Sequence, residues 1–576
     1  MNLRFELQVS SYKIMIWVDR EAKKIIERKL PVEWVDDMKT PSGRIHVGSL
    51  RGMLVHDLMY KVLKEKNLNV HFSYVFNDMD QMDSIPSYLD QKKWSAYSGK
   101  PLNKIPSPEP GYESFADYYA QEFIQVFNSI NCHPEIIWSH ELYESGKMND
   151  VIKLFLDNAD KVREIYKRIA KADRAKDWYP FNPICEKCGN IGTTNVTKWD
   201  GEFVYYTCEP KIVDWATGCG HVGKISPYNG NGKLPWKLDW PAHWKTIGVT
   251  IEGAGKDHMS SGGSYDMAAT FCKEILHYEA PYPLAYEWFT IGGKKMSSSK
   301  GIGTSAKEVS SILPPEVFRF LIVRTPIGTH LDFHPYGVTI PNLFDDYDQC
   351  MNAYFMKIEN SLPQGKQGEV LEDYARIVEL SAVRFMPKNK LFLPRFRTIA
   401  NMLNQKPDFT AFFERLKKSP LNIEEKLILE ERIKFAKIYV DNYAEDLQDK
   451  NIMPVKFNIN ETQRKFLQLL IEKLKLLQSN DSEKIQTLIF TILKENGFKP
   501  KEVFQGFYQA LTGKDFGPKA HDIIIQTGIG IVIEKLNAYI HSQNSTKQNT
   551  VNNIFPDLKD ISLFTIDPEV KKMYPS

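Results

Sequence analysis

Between an apolar run that ends near Val35 and a helical pattern carried by Leu54, Val55, Leu58, Met59 and Val62 stands Pro41-Ser42-Gly43-Arg44-Ile45-His46-Val47-Gly48-Ser49. Strand, tight turn and helix follow one another here, and this succession constrains the fold more than any other feature of the chain. The first amides of a helix lack intrahelical acceptors and sit at the positive end of its dipole, so such a turn suits an anionic phosphate. Gly43 and Gly48 let a ligand approach the backbone, and His46 offers a ring N–H to a phosphate oxygen. A histidine in a Pro/Gly turn is by itself an ordinary loop feature.

Apolar runs at 30–35, 70–76 and 247–251 alternate with helical patterns at 12–29, 50–64, 115–131 and 147–171. That alternation predicts a Rossmann-like α/β domain with a parallel sheet and ligands at the carboxyl ends of its strands. Asn77-Asp78-Met79-Asp80-Gln81-Met82-Asp83 follows the second run directly. Its carboxylates either hold a metal or a ligand's ammonium, or are solvated loop charge.

Seven cysteines in 576 residues, four of them clustered, do not make a disulfide framework. Cys185-Glu186-Lys187-Cys188-Gly189 reads as a metal knuckle, completed by Cys208 and Cys219 in a tetrahedral zinc site. His221 is an alternative to Cys208 or Cys219. The β-rich stretch 193–207 between them has the composition of a ribbon. Nothing nearby resembles the general base of a catalytic zinc, so the expected ion is structural Zn2+.

The chain then becomes densely aromatic over Trp236-Lys237-Leu238-Asp239-Trp240-Pro241-Ala242-His243-Trp244. Gly255-Lys256-Asp257-His258 and Gly262-Gly263-Ser264-Tyr265-Asp266 follow, a mixture of glycines and polar groups that suits a small-molecule pocket. Further on, Lys295-Met296-Ser297-Ser298-Ser299-Lys300-Gly301 places two ammonium groups around small hydroxyl residues, a loop fit to bring positive charge onto phosphates.

The turn around His46 and the Lys295–Lys300 loop together resemble the paired signatures of class I aminoacyl-tRNA synthetases. Pro-Ser-Gly before the histidine narrows the resemblance to the glutamyl, glutaminyl and class I lysyl group. The tryptophan stretch, Gly-Lys-Asp-His, Gly-Gly-Ser-Tyr-Asp and the cysteine-rich insert resemble the archaeal-type class I lysyl-tRNA synthetase family, closely over 30–345. Departures are Ser49 at the end of the first signature, His243 where arginine is usual, and Met38-Lys39 in place of a Gly/aliphatic pair.

The resemblance implies a HUP-type catalytic domain with a zinc-ribbon insertion and an all-α anticodon-binding domain. It implies activation of L-lysine by ATP with Mg2+, then transfer of the lysyl group to the 2′-hydroxyl of the terminal adenosine of tRNA(Lys). His46, Ser49, Lys295 and Lys300 become the catalytic candidates, and Pro41, Ser42, Gly43, Gly48, Met296, Ser297 and Ser298 the ATP-binding ones. Trp240, Asp257, His258, Tyr265, Asp266 and Tyr286 become the substrate candidates, with carboxylates and aromatic faces suited to an ε-ammonium. A glutamate pocket would instead want an arginine, and Arg44 lies in the turn.

The implied division is 1–175 and 231–345 for the two halves of the catalytic domain, 176–230 for the zinc insertion and 346–576 for the anticodon-binding domain. Pro314-Pro315-Glu316 opens a helix over 309–325, and helical patterns continue at 344–362, 371–386, 411–477 and 504–536. The segment from Gly513 to Lys519 resembles the end of that helical domain. Residues 542–576 read as a loose tail. A net charge of +2, from 74 basic and 72 acidic residues, means RNA would be met by local basic patches. The chain shows no secretory pattern, and its longest apolar window, 523–533, is too short and too interrupted to span a bilayer. The expectation is a cytoplasmic protein with no membrane or DNA partner. Three rival readings are a glutamyl enzyme, an adenylate-forming nucleotidyltransferase that never meets tRNA, and a non-catalytic zinc-ribbon RNA binder.

Overall fold

In the computed structural model, residues 15–292, 305–384, 386–444, 459–477, 482–512, 519–527 and 529–545 are described. The loop containing Lys295, Met296, Ser297, Ser298 and Lys300 lies outside them. So do most of the Gly513–Lys519 segment and nearly all of the expected tail.

Eight strands matter for the site, in chain order: β1 (Glu33–Lys39), β2 (Val70–Phe76), β3 (Glu135–Trp138), β4 (Thr194–Trp199), β5 (Val204–Cys208), β6 (Val222–Ile225), β7 (Ile251–Gly255) and β8 (Tyr282–Tyr286). Five of them form one parallel sheet in the order β8-β7-β1-β2-β3. The chain builds outward from β1 to β3, then returns to the other side of β1 with β7 and β8. Strand order reverses at β1, and loops leaving β1 and β7 therefore part in opposite directions and open a crevice between their carboxyl ends. Strands β4 and β5 form the antiparallel ribbon expected over 193–207, and β6, beyond Cys219, adds a third strand to it.

Helix α1 (Gly48–Glu65) makes the first crossover, and Leu50, Met53, Leu54, Leu58, Met59 and Val62 are fully buried along it. It also buries charge. Arg319, on the helix Pro315–Val323, donates to Asp57 at 2.8 Å and to the Ile130 and Leu380 carbonyls at 2.9 and 3.1 Å. Removing one partner of such a buried pair costs about 3–5 kcal/mol, so this contact fixes where the helices after the sheet pack against α1. Pro315 stands at the first turn of its helix, where its missing N–H costs nothing.

Two expected elements shift. The first strand runs from Glu33 to Lys39 rather than over 30–35, carrying Asp36 and Asp37 inside the sheet. The third apolar run is not a strand over 247–251. The tryptophan stretch forms helix α2 (Trp236–Ile247), Gly248 ends it at φ 96°, and β7 starts only at Ile251. Trp236, Trp240 and Trp244 stack along α2 with ring centroids 5.1 and 4.8 Å apart, a four-residue spacing that is a helical signal. The pattern over 147–171 is two helices, Asn149–Asp157 and Ala159–Ala170.

The chain divides into two compact units at Gln448. In the first, helices such as Thr339–Ile358 and Ile423–Asn442 follow the sheet, the latter opened by a capping box from Asn422 and Glu425. The regular elements among the described residues of the second are all helices, and they enclose a core of their own with Phe466, Leu470, Ile489, Phe507, Ile524 and Leu536. Among the described residues no helix is long and apolar enough to cross a membrane.

Candidate active site

The turn after β1 is held by the segment that begins at Ser305. His46 pairs with Ser305 as an antiparallel bridge, and the Ala306 N–H donates to the Ile45 carbonyl at 2.8 Å. Gly48 opens α1 against the His46 ring. A Cβ there would stand 2.8 Å from His46 Nδ1, so any larger residue would displace the imidazole. Burial, aided by the charge of Lys39, pushes the His46 pKa down to about 3. The ring is therefore neutral at working pH and offers one N–H and one lone pair.

At the reversal of strand order a cavity of about 560 Å3 opens between β1 and β7. Its two ends differ in charge. One, about the turn, is lined by Ser42, His46, Gly48 and Ser49, while His258 stands on the opposite wall against Trp240, ring centroids 6.1 Å apart. The other is floored by Asp37 and Glu252 and walled by Tyr74, Trp240 and Tyr286. Gly52 makes room at that floor: a Cβ would lie 2.6 Å from the Tyr286 hydroxyl and 3.1 Å from Asp37 Oδ2.

The floor carboxylates lack countercharge. Burial raises the Asp37 pKa, and burial together with Asp36 and Asp37 holds Glu252 well above the usual carboxylate range. His56 stands 3.6 Å from Asp37 Oδ2, but its hydrogen bonds fix it as a neutral ring. Its Nε2 accepts the Gly253 N–H at 2.7 Å, which leaves Nδ1 as the donor to the Gly52 carbonyl at 2.7 Å. Glu252 Oε2 accepts the Trp244 indole N–H at 2.8 Å, and Trp240 also donates to this carboxylate, so its partners are neutral. A cavity floored by buried acids and walled by aromatic rings attracts a cation.

Beneath the rim lies a second charged network, fully partnered. The buried Lys233 donates to Asn77 Oδ1 at 2.8 Å and Asp80 Oδ1 at 2.5 Å, and pairs with Asp239 at 3.0 Å. Burial alone would lower its pKa, but Asp239 and Asp80 raise it. Tyr143 and Asn77 also donate to Asp239, at 2.5 and 2.9 Å, and Thr40 donates to Asp80 at 2.5 Å. Asp78 is bound by the His140 N–H at 2.9 Å and by its ring. Of the carboxylates after β2, Asp80 thus holds the ammonium of the chain's own Lys233 and Asp78 is occupied by His140. The buried His243 hydrogen-bonds the Asp239 carbonyl at 2.7 Å and Ser139 at 3.2 Å, packing in this network rather than lining the cavity.

The cavity gathers Ser42, His46, Gly48, Ser49, Trp240, Asp257, His258 and Tyr286 from the residues singled out in the sequence. Pro41, Gly43, Tyr265 and Asp266 are not in its lining. Asp266 accepts the Gly262 N–H at 2.7 Å, and the Tyr265 hydroxyl is spent on the Pro281 carbonyl. Asp257 is exposed at the rim. Sequence reasoning missed Asp37, Lys39 and Glu252, which sit within or at the end of strands. Two adjacent aspartates just before a phosphate turn were the available signal.

The four cysteine sulfurs of Cys185, Cys188, Cys208 and Cys219 lie within 4.8 Å of one another. The Cys185–Cys219 and Cys188–Cys208 separations are 3.7 and 3.6 Å, close to the edge of about 3.8 Å of a tetrahedron with metal–sulfur bonds of about 2.3 Å. Donors approach as well, the Cys219 N–H at 3.4 Å from the Cys208 sulfur. The His221 ring is instead set against Tyr206, with centroids 6.0 Å apart.

A parallel sheet reversed at β1, with a glycine-flanked histidine turn and a two-ended cavity at that reversal, defines a nucleotide-binding α/β enzyme domain. Residues 15–384 match the family of class I tRNA synthetases (K), and residues 390–540 match the anticodon binding domain. The chain belongs to this class I tRNA synthetase family. It is 32% identical over 546 residues to a lysine–tRNA ligase of Methanocaldococcus jannaschii, covering 91% of this chain and 100% of the relative. Against a lysine–tRNA ligase of Thermoplasma volcanium it is 31% identical over 533 residues, covering 91% and 99%.

Proposed function

We propose that this chain is a lysine–tRNA ligase that forms lysyl-adenylate from L-lysine and ATP and transfers the lysyl group to the 2′-hydroxyl of the terminal adenosine of tRNA(Lys). The observation that carries the substrate is the floor of the cavity, where Asp37 and Glu252 lie buried beneath Tyr74, Trp240 and Tyr286 with no lysine or arginine ion-paired to them among the described residues. An ε-ammonium supplies the missing charge, and the rings favour it further. A glutamate side chain would meet carboxylates there, and no arginine lines the cavity. Arg44 is exposed, its guanidinium over the Tyr88 ring at 4.9 Å.

ATP, with Mg2+, takes the opposite end. His46 contacts a phosphate, Gly48 keeps the backbone close to the nucleotide, and Ser42 and Ser49 offer hydroxyls. Lys295 and Lys300 approach the leaving pyrophosphate, with Met296, Ser297 and Ser298 beside the nucleotide. Positioning and charge stabilisation are the chemistry required, and no protein nucleophile takes part. The four cysteines hold a structural Zn2+, a role supported by their tetrahedral spacing and by four protein sulfurs filling the coordination shell. The helical region that matches an anticodon binding domain reads the tRNA, and the enzyme works in the cytoplasm, where its tRNA is charged.

Amino-acid-dependent ATP–pyrophosphate exchange across the standard amino acids, with and without tRNA, tests the proposal. Exchange with lysine alone is expected. Exchange confined to glutamate in the presence of tRNA would transfer the assignment to a glutamyl enzyme, and tRNA binding without any exchange would remove the catalytic reading.

A further inference from the structure

Lys39 ends β1 and lines the cavity. It lies two residues from Asp37, so both belong to one face of the strand, with Cα atoms about 6.5–7 Å apart. Asp37 attracts the Lys39 ammonium only at long range, and no hydrogen bond or ion pair engages that ammonium among the described residues. Its field reaches His46 across the turn and His258 on the far wall, in both cases disfavouring a second positive charge. The side chain thus lines the same cavity as both histidines and the acidic floor, two residues after Asp37 and two before the turn that opens at Pro41.

We propose that Lys39 is a catalytic cation of the activation step, built into the sheet, that holds the α-phosphate oxyanion of ATP where the amino-acid carboxylate attacks. The inference rests on the reaction proposed above. A carboxylate oxygen forms a bond to the α-phosphorus, the bond from that phosphorus to the bridging oxygen breaks, and pyrophosphate leaves with the electron pair. Lys39 transfers no proton. Its part is to offset negative charge gathering on the non-bridging oxygens, from a position the strand fixes in advance. Burial lowers the Lys39 pKa, and the charge of Asp37 opposes that shift. A bland alternative is that Lys39 only balances Asp37. Against it, the two groups do not approach to ion-pair distance, although they share a strand face.

The test compares K39M and K39R with the unsubstituted full chain. In K39M, kcat for lysine-dependent pyrophosphate exchange is expected to fall by about 100- to 1,000-fold, the usual loss for one oxyanion donor, while KM for L-lysine stays within about twofold. K39R, which keeps charge and bulk, should recover part of kcat and guards against misfolding. Without turnover, affinity for lysinol-adenylate, which keeps the phosphate and lacks the carboxylate, should drop by roughly tenfold or more in K39M. Unchanged kcat and unchanged analogue affinity would overturn the assignment. So would tighter L-lysine binding in K39M, which would make Lys39 a competitor for Asp37. A loss of L-lysine affinity with intact analogue affinity would place the ammonium on the amino-acid carboxylate and likewise refute the phosphate role. No exchange by the unsubstituted chain fails the reaction reading itself and takes this inference with it, an outcome distinct from any difference between variants.

Discussion

Among the described residues two groups of side chains have the makings of a metal site, each with its candidate ligand atoms within 4.8 Å of one another. One is Cys185, Cys188, Cys208 and Cys219; the other is Asp37, His56 and Glu252. They differ in what their atoms already do. The cysteine sulfurs face each other at tetrahedral spacing, and the Cys219 N–H and the Thr193 hydroxyl beside Cys208 leave the sulfur lone pairs available to an ion. In the second group both nitrogens of His56 are committed, one to the Gly253 N–H and one to the Gly52 carbonyl, so the ring has no lone pair to give. Proximity alone therefore assigns nothing. Counting lone pairs leaves the first cluster able to hold a metal ion and denies the second its nitrogen ligand, which suits the second to the organic cation proposed above.

The largest effect that would sharpen this contrast is at the cysteines. Cys208→Ser should lose the bound zinc and collapse the ribbon, because metal binding to such sites is folding energy. Metal analysis with thermal unfolding reads it, and full zinc content with an unchanged melting temperature would break the assignment. Exchange activity should vanish too, since Lys233 follows the ribbon directly and anchors Asn77, Asp80 and Asp239 beneath the cavity.

Next comes Asp37→Asn. It removes the floor's charge but keeps its shape, so lysine kcat/KM should fall by about 2–4 kcal/mol, roughly 30- to 1,000-fold, with zinc content unaltered. A variant that activates lysine normally would empty the acidic end of its meaning. His56→Leu should be milder. It strands the Gly253 N–H and the Gly52 carbonyl, a stability loss of about 1–3 kcal/mol in chemical denaturation. If metal content dropped with it, His56 would be a ligand after all.

The smallest effect is in pH. Burial raises the pKa of Asp37 and Glu252 above their unfolded values, so the folded chain binds more protons between the two. Stability from these groups accordingly falls as pH rises from the ordinary carboxylate range through their raised values. Lysine binding needs the ionised forms and weakens as pH falls through the same window. Opposite slopes in apo-stability and lysine affinity are expected, with Asp37→Asn flattening both. Parallel slopes would mean that these carboxylates do not hold the substrate.

Much of this was legible in the residues. The His46 turn, the alternation of strands and helices and the four-cysteine spacing are local signals, because each is fixed by residues close in sequence whose geometry allows few alternatives. The floor of the site was not legible. Asp36 and Asp37 ended the apolar run on paper, yet the sheet continues through them because β2 pairs with every residue from Glu33 to Lys39. Trp236, Trp240 and Trp244 read as undifferentiated density until α2 aligned them on one face.

The sequence by itself determined the class of fold, the glycine-flanked turn that carries His46 and the grouping of the four cysteines. Only the tertiary structure decided which charges remain without a counterion. Asp80 and Asp239 share Lys233, Asp78 meets His140, and Asp266 caps a turn, whereas Asp37 and Glu252 line a cavity among aromatic rings with no lysine or arginine paired to them among the described residues. Whether a carboxylate is occupied depends on groups brought from distant parts of the chain, and a side chain's own neighbours in sequence carry no record of them.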